Sequence, residues 1–210
     1  MIKLMVADDH PVVREGLKKM FEKSSTIEVT GEARNGQEVL NKVKANDYDM
    51  ILLDISMPGR NWIEVLKELR EQKPDLPVLI ISMHKEEEYI VRALKAGAAG
   101  YLTKESLPGE LITAVKKIHQ GGKYITISIA EKLAFHLDKN IEKPVHQTLS
   151  DREYQVLVLI AKGKSTKEIA EELYLSGNTI STYRTRILEK MDMKNTAELI
   201  HYAFKNGLVE

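Results

Sequence analysis

The sequence predicts an α/β domain, a doubly wound five-stranded parallel sheet, followed by a smaller all-α domain containing a helix-turn-helix. Three observations support this. Short β-rich runs alternate with amphipathic helical stretches five times over residues 1–121. The pattern changes after Gly121-Gly122. From residue 147 onward there are helix-start signals and no strand pattern.

The strands are expected at Ile2–Ala7, Glu28–Ala33, Met50–Leu53, Val78–Ser82 and Gly100–Leu102. Most are near-continuous apolar runs, as in a sheet covered on both faces, whereas Glu28–Ala33 alternates like an edge strand. Between and after them run five helical stripes. Val12, Val13, Leu17, Met20 and Phe21 form the first; Val39, Leu40 and Val43 the second; Ile63, Val65, Leu66 and Leu69 the third. Ile90, Val91 and Leu94 form the fourth, and Leu111, Ile112, Val115 and Ile118 the fifth. Ser128–Leu137 reads as a short helix and Asp138–Thr148, with Pro144, as a polar linker, so residues 122–146 connect a domain over 1–121 to one over 147–210. In the second domain Ser150/Glu153, Ser165/Glu168 and Asn195/Glu198 have capping-box spacing, and a further helix starts near Ser176. Four short helices result.

Composition excludes several classes. The 31 basic and 31 acidic residues cancel, so a nucleic-acid or membrane partner must be met by a local patch. With no cysteine there is no disulfide, thiolate zinc site or cysteine nucleophile, which suits a reducing cytoplasm. Apolar runs such as Val78–Ile81 fall far short of the ~20 residues of a membrane helix. The amino terminus, with one lysine and then Asp8 and Asp9, does not read as a signal peptide. A cytoplasmic protein without membrane contact is expected.

In an open α/β sheet the ligand crevice lies at the carboxyl ends of the strands. Asp8 and Asp9 follow the first strand, Asp54 the third, Ser82 ends the fourth, and Lys104 follows the fifth. Singly, an aspartate there is more often a cap or turn former, Lys104 a solvated lysine and Ser82 a turn residue. Together they make a site. Clustered carboxylates repel unless a cation sits among them, and hard oxygen ligands suit Mg²⁺. A carboxylate beside Mg²⁺, a lysine and a hydroxyl is equipped to accept a phosphoryl group. Asp54 is the expected phosphoacceptor. Asp9, Asp54 and the Ser56 backbone carbonyl are the expected Mg²⁺ ligands, with Asp8 acting through water and Lys104 and Ser82 on the phosphoryl oxygens.

Asp8-Asp9-His10-Pro11, Asp54 followed by Met57-Pro58-Gly59, and Gly97-Ala98-Ala99-Gly100-Tyr101-Leu102 with Lys104 resemble the receiver domain of bacterial response regulators over residues 1–121. The resemblance implies a flavodoxin-like fold of strand order 2-1-3-4-5 and phosphorylation of Asp54 by a sensor histidine kinase. It also implies a switch in which Ser82 moves toward the phosphoryl group and Tyr101 rotates inward. One residue departs from the family: Trp62, the only tryptophan, stands where glycine is usual. Either the loop over 60–63 takes another path or the ring packs on a neighbour, and a slowed or altered phosphorylation step is expected.

In the second domain Thr166–Leu173, a turn through Tyr174–Ser176, and Gly177–Met191 have helix-turn-helix spacing. Ile180, Ile187, Leu188 and Met191 form a buried stripe; Asn178, Ser181, Thr182, Thr185 and Arg186 lie opposite, flanked by Arg184 and Lys190. Nine basic residues meet nine acidic ones from residue 147 onward, so charge alone does not separate this from any solvated amphipathic helix.

The longer pattern does. Leu149-Ser150-Asp151-Arg152-Glu153, Val156-Leu157, Gly163, Thr166-Lys167-Glu168-Ile169-Ala170, Leu175-Ser176, Thr179-Ile180 and Asn206-Gly207-Leu208 resemble the LuxR-type output domain of NarL/FixJ-type regulators. The resemblance implies a recognition helix in the major groove of double-stranded DNA and a homodimer formed partly through the last helix. It places Ser181, Thr182 and Thr185 toward bases, Tyr183 and Arg184 beside the backbone, and Lys167, Asn178, Thr179, Arg186 and Lys190 in the same interface. Where many relatives carry Val-Lys-any-His, this chain has Ile180-Ser181-Thr182-Tyr183.

The leading expectation is therefore a two-component transcription regulator, not a dedicated enzyme, that dimerises on DNA when phosphorylated. Two rivals stand beside it. One is a haloacid-dehalogenase-type phosphatase, which needs a second aspartate where Ser56 sits. The other is a constitutive DNA-binding protein with a vestigial receiver.

Overall fold

The structure is a computed structural model that describes residues 1–83, 87–106, 108–127, 129–131 and 144–209. The chain divides into two compact units, Met1–Phe135 and His136–Glu210. The helix expected over 128–137 and the polar stretch from residue 138 lie for the most part outside the described residues.

The first unit is the expected parallel sheet. Its strands are β1 (Ile2–Ala7), β2 (Ile27–Ala33), β3 (Met50–Asp54), β4 (Val78–Ser82) and β5 (Gly100–Thr103), in the order β2-β1-β3-β4-β5. The alternating strand β2 lies at one edge. Five helices intervene: α1 (Pro11–Glu22), α2 (Gly36–Ala45), α3 (Trp62–Gln72), α4 (Glu87–Lys95) and α5 (Pro108–His119).

One face of the sheet, with Leu4, Val6, Met50, Leu52, Leu79, Ile81 and Leu102, packs on Leu17 and Phe21 of α1 and on Leu111, Val115 and Ile118 of α5. The alternate residues Met5, Ala7, Ile51, Leu53, Ile80 and Tyr101 are equally buried, because successive strand side chains point to opposite faces and both faces are covered. Each buried aliphatic side chain contributes roughly 1.5–3 kcal/mol. At the far edge Tyr124 forms a parallel bridge with Gly100. A Cβ on Gly100 would meet the Tyr124 carbonyl oxygen at 2.4 Å, so only glycine fits.

The α1 stripe needs correction. Leu17 and Phe21 are buried as expected, but Val12 is 84% exposed and Arg14 is buried in its place. Val12 stands two residues, about 200° of helical rotation, before Arg14, so it lies on the face opposite Arg14, Leu17 and Phe21.

Trp62 opens α3 and is buried, and its Nε1 has no hydrogen-bond partner. Of the two alternatives for this position, the ring packs. Its backbone is not left-handed; Gly59, at φ +90°, takes that conformation three residues earlier. Asn61 caps the helix by accepting from the Ile63 N–H at 2.8 Å.

The second unit holds a 3₁₀ turn (Val145–Thr148) and four helices: α6 (Asp151–Ala161), α7 (Thr166–Leu173), α8 (Gly177–Lys190) and α9 (Thr196–Lys205). Helix α6 is the hub, burying Tyr154, Val156, Leu157, Val158 and Ile160. Ile169, Ile180, Ile187, Met191, Leu199 and Ala203 of the unit are buried as well. Leu188, expected in the stripe, is only half-buried.

Ser150/Glu153 and Ser165/Glu168 form complete capping boxes. With asparagine in the cap the geometry changes: Asn195 accepts from the Glu198 N–H, and the Glu198 carboxylate reaches back to the Lys194 N–H instead. No helix among the described residues is long and apolar enough to cross a membrane.

Candidate functional site

The carboxyl ends of β1, β3, β4 and β5 converge on one group of side chains. The Lys104 ammonium donates to Asp8 Oδ2 and to Asp54 Oδ2, each at 2.7 Å. Asp8, Asp54 and Ser82 are fully buried. The Ser56 N–H donates to Asp54 Oδ1 at 3.1 Å, and the Lys104 N–H donates to the Ser82 carbonyl at 2.8 Å, tying the loop after β5 to the end of β4. Lys104 thus joins partners that lie 50 and 96 positions before it in the chain. Parallel strands all deliver their carboxyl ends to one edge, which makes this meeting possible.

Burial dominates the electrostatics of Asp54 and raises its pKa above the ordinary carboxylate value, against the opposing pull of Lys104. Burial works against the Lys104 ammonium too, but its hydrogen bonds to Asp54 and Asp8 outweigh this and its pKa is raised. A buried carboxylate that one lysine does not fully compensate signals a shortage of positive charge.

Asp9 is partly exposed, yet its Oδ1 is buried without a hydrogen bond. It faces His10 Nδ1 at 2.9 Å, close enough for an ion pair but not aligned for a hydrogen bond. Asp8, Asp9, His10 and Asp54 each offer a ligand atom, and these atoms lie within 4.8 Å of one another. Three carboxylates share one ammonium, which leaves the cluster short of positive charge. Hard oxygen donors and one orphaned carboxylate oxygen fit Mg²⁺.

The sequence reading gave no role to His10 or Arg14. His10 belongs to the quoted Asp8-Asp9-His10-Pro11 run, so a signal existed. Arg14, only 5% exposed, donates through Nη1 to the Asp8 carbonyl and through Nε to Glu32 Oε2, both at 2.8 Å. Tyr101, the expected switch residue, is fully buried in β5, so the structure has this ring packed inside.

The residues expected to touch DNA gather on α7 and α8. Ser176 caps α8 by accepting from the Thr179 N–H at 3.1 Å, and Tyr174 closes α7 in the left-handed conformation at φ 54°. Lys167 on α7 is exposed, as are Asn178, Ser181, Thr182, Arg184, Thr185, Arg186 and Lys190 on α8; Thr179 and Tyr183 are half-buried. The Ser181, Thr182 and Thr185 hydroxyls donate to the Gly177, Asn178 and Ser181 carbonyls, which leaves their oxygens outward as acceptors.

Lys190 stands apart. Its ammonium bonds Glu153 Oε2 at 2.7 Å, joining α8 to the hub helix. Burial raises the Glu153 pKa, but Lys190 and the Ser150 N–H more than offset this and the net shift is downward.

The chain matches the family "Response regulator receiver domain" over residues 4–116 and "Bacterial regulatory proteins, luxR family" over residues 147–203. It is 34% identical over 209 residues to the response regulator UvrY of Escherichia coli O157:H7, covering 99% of this chain and 96% of that one. It is 35% identical over 216 residues to the oxygen regulatory protein NreC of Staphylococcus carnosus, covering both chains completely. Among solved structures it resembles RcsB from Salmonella enterica serovar Typhimurium, bound to a promoter in the presence of the phosphomimetic BeF3⁻. That likeness has a TM-score of 0.60 at 26% identity and covers 96% of this chain and 97% of the other.

Proposed function

The chain belongs to the bacterial response regulators that join a receiver domain to a LuxR-type DNA-binding domain, and from that premise we propose that Asp54 is the phosphoacceptor through which a histidine kinase controls DNA binding. The observation that carries this is the shared ammonium: Lys104 at 2.7 Å from both Asp8 and Asp54 on the floor of an acidic cluster.

An Asp54 carboxylate oxygen attacks the phosphorus of a phosphohistidine on the kinase. The P–N bond breaks, its electron pair stays on the imidazole nitrogen, and an acyl phosphate forms. The Ser56 N–H holds the carboxylate in place. Lys104 and the Ser82 hydroxyl then bind phosphoryl oxygens. Asp9, Asp54 and the Ser56 carbonyl would hold Mg²⁺, with Asp8 in support. Bound Mg²⁺ supplies neutralisation of the charge that builds on the phosphoryl oxygens.

Residues 1–121 form the receiver, 122–146 the linker and 147–210 the DNA-binding domain. Phosphorylation is read out through Ser82 and Tyr101 and favours a homodimer on double-stranded DNA in the cytoplasm. Ser181, Thr182 and Thr185 present acceptors to base edges; Tyr183, Arg184, Arg186 and Lys167 lie beside phosphates, near Asn178 and Thr179. Moving such a switch from 1:99 to 99:1 requires the phosphoryl group to favour the active state by ~5.5 kcal/mol.

The test is labelling of the full chain by a small phosphodonor with Mg²⁺. Acid-labile label that stops at one per chain supports the reading. Continuous release of phosphate points to the phosphatase, and no label points to a vestigial receiver.

A further inference from the structure

We propose that Arg14 is a positioning residue for the acidic site: through the Asp8 carbonyl it fixes the peptide that carries Asp8 and Asp9 in the arrangement that receives Mg²⁺. This rests on the reading of the site given above. A guanidinium only 5% exposed is expensive to bury, and α1 could pack on the sheet with an aliphatic residue at that position. Its two bonds diverge. Nε is anchored on Glu32 of β2, which Lys18 also holds, and Nη1 reaches the Asp8 carbonyl at 2.8 Å.

The remaining polar groups of Asp8 are already committed. Its N–H donates to the Ala33 carbonyl, its Oδ1 accepts from the His10 N–H at 2.8 Å, and its Oδ2 accepts from Lys104. The Asp8 carbonyl and the Asp9 N–H share one rigid peptide plane. Holding that oxygen therefore sets the direction in which the chain presents Asp9, whose Oδ1 is the orphaned atom of the cluster. Lysine lacks the planar fork needed to serve two partners in different directions.

Calorimetric Mg²⁺ titration of the full chain tests this, with Arg14→Met, Arg14→Lys and Lys18→Met as variants and urea unfolding in parallel. Loss of an outer residue that orients metal ligands weakens metal affinity about tenfold or more. Arg14→Met and Arg14→Lys are expected to show that loss. Lys18→Met, which loosens Glu32 without touching Asp8, is expected to bind like the parent. If Arg14→Met does not fold, Arg14→Lys, which keeps the charge and the aliphatic stem, decides. Arginine variants that bind Mg²⁺ like the parent overturn the proposal, as does an equal loss in Lys18→Met, which would mean general loosening of β1, α1 and β2. A parent that binds no Mg²⁺ overturns the reading of the site and the proposal with it.

Discussion

The receiver site and the exposed face of α8 are built in opposite ways. In the receiver, Asp8, Asp54 and Ser82 are fully buried and Lys104 bonds partners 50 and 96 positions away. On α8 Ser181, Thr182 and Thr185 are exposed and their hydroxyls donate to carbonyls one turn earlier in the same helix. Burying charge is costly, so a chemical site announces itself through compensating partners. A surface that reads another molecule has no such need, because its partners are on the ligand. The difference implies that substitution of the phosphoacceptor acts all-or-none, and substitutions on the exposed face of α8 by degrees.

Asp54→Ala gives the largest expected effect. It removes the attacking oxygen and abolishes phosphodonor labelling while the far-ultraviolet circular dichroism stays that of the parent; retained acid-labile label would break the comparison at its stronger end.

Arg184→Ala comes next. It weakens binding to all DNA sequences alike and flattens the slope of log affinity against log salt by about one unit, measured by fluorescence anisotropy. An unchanged slope removes Arg184 from the phosphate contacts.

Lys190 sharpens the contrast within α8 itself, because its ammonium is committed to the buried Glu153. Lys190→Ala costs about 1 kcal/mol in urea unfolding after screening of its exposed ammonium, with a smaller change in salt slope than Arg184→Ala. The pair also sets a pH dependence. The folded pKa of Glu153 lies below its ordinary 4.5, so this carboxylate contributes stability above that value. The contribution fades as pH falls through the lowered folded value. Acid unfolding of Lys190→Ala should show less of that loss; identical acid profiles would remove the pair from the account.

The smallest expected effect concerns Trp62. Trp62→Gly restores the residue usual in receivers and raises the phosphorylation rate a few-fold in a phosphodonor time course, whereas equal rates remove any slowing by the ring.

Legibility in the sequence follows the same division. Strand periodicity and strand-end carboxylates are local signals, so the parallel sheet could be read directly, and the strand order of the receiver resemblance then brought Asp8, Asp54 and Lys104 together. Arg14 could not, because its burial depends on Glu32 of a neighbouring strand. The apolar pair Val12-Val13 suggests that both face inward, yet at 3.6 residues per turn Val12 falls on the side of α1 opposite Arg14, Leu17 and Phe21. Trp62 looked like a backbone problem, yet the left-handed position is Gly59. On α8 the spacing identified the exposed face but gave no sign that Lys190 is tied to Glu153, 37 positions earlier.

Operator titration of the full chain by anisotropy, with and without a small phosphodonor and Mg²⁺, tests the central claim most directly. The account predicts that affinity rises at least tenfold only when both are present and that Asp54→Ala removes the rise. Equal affinity under all conditions would contradict it.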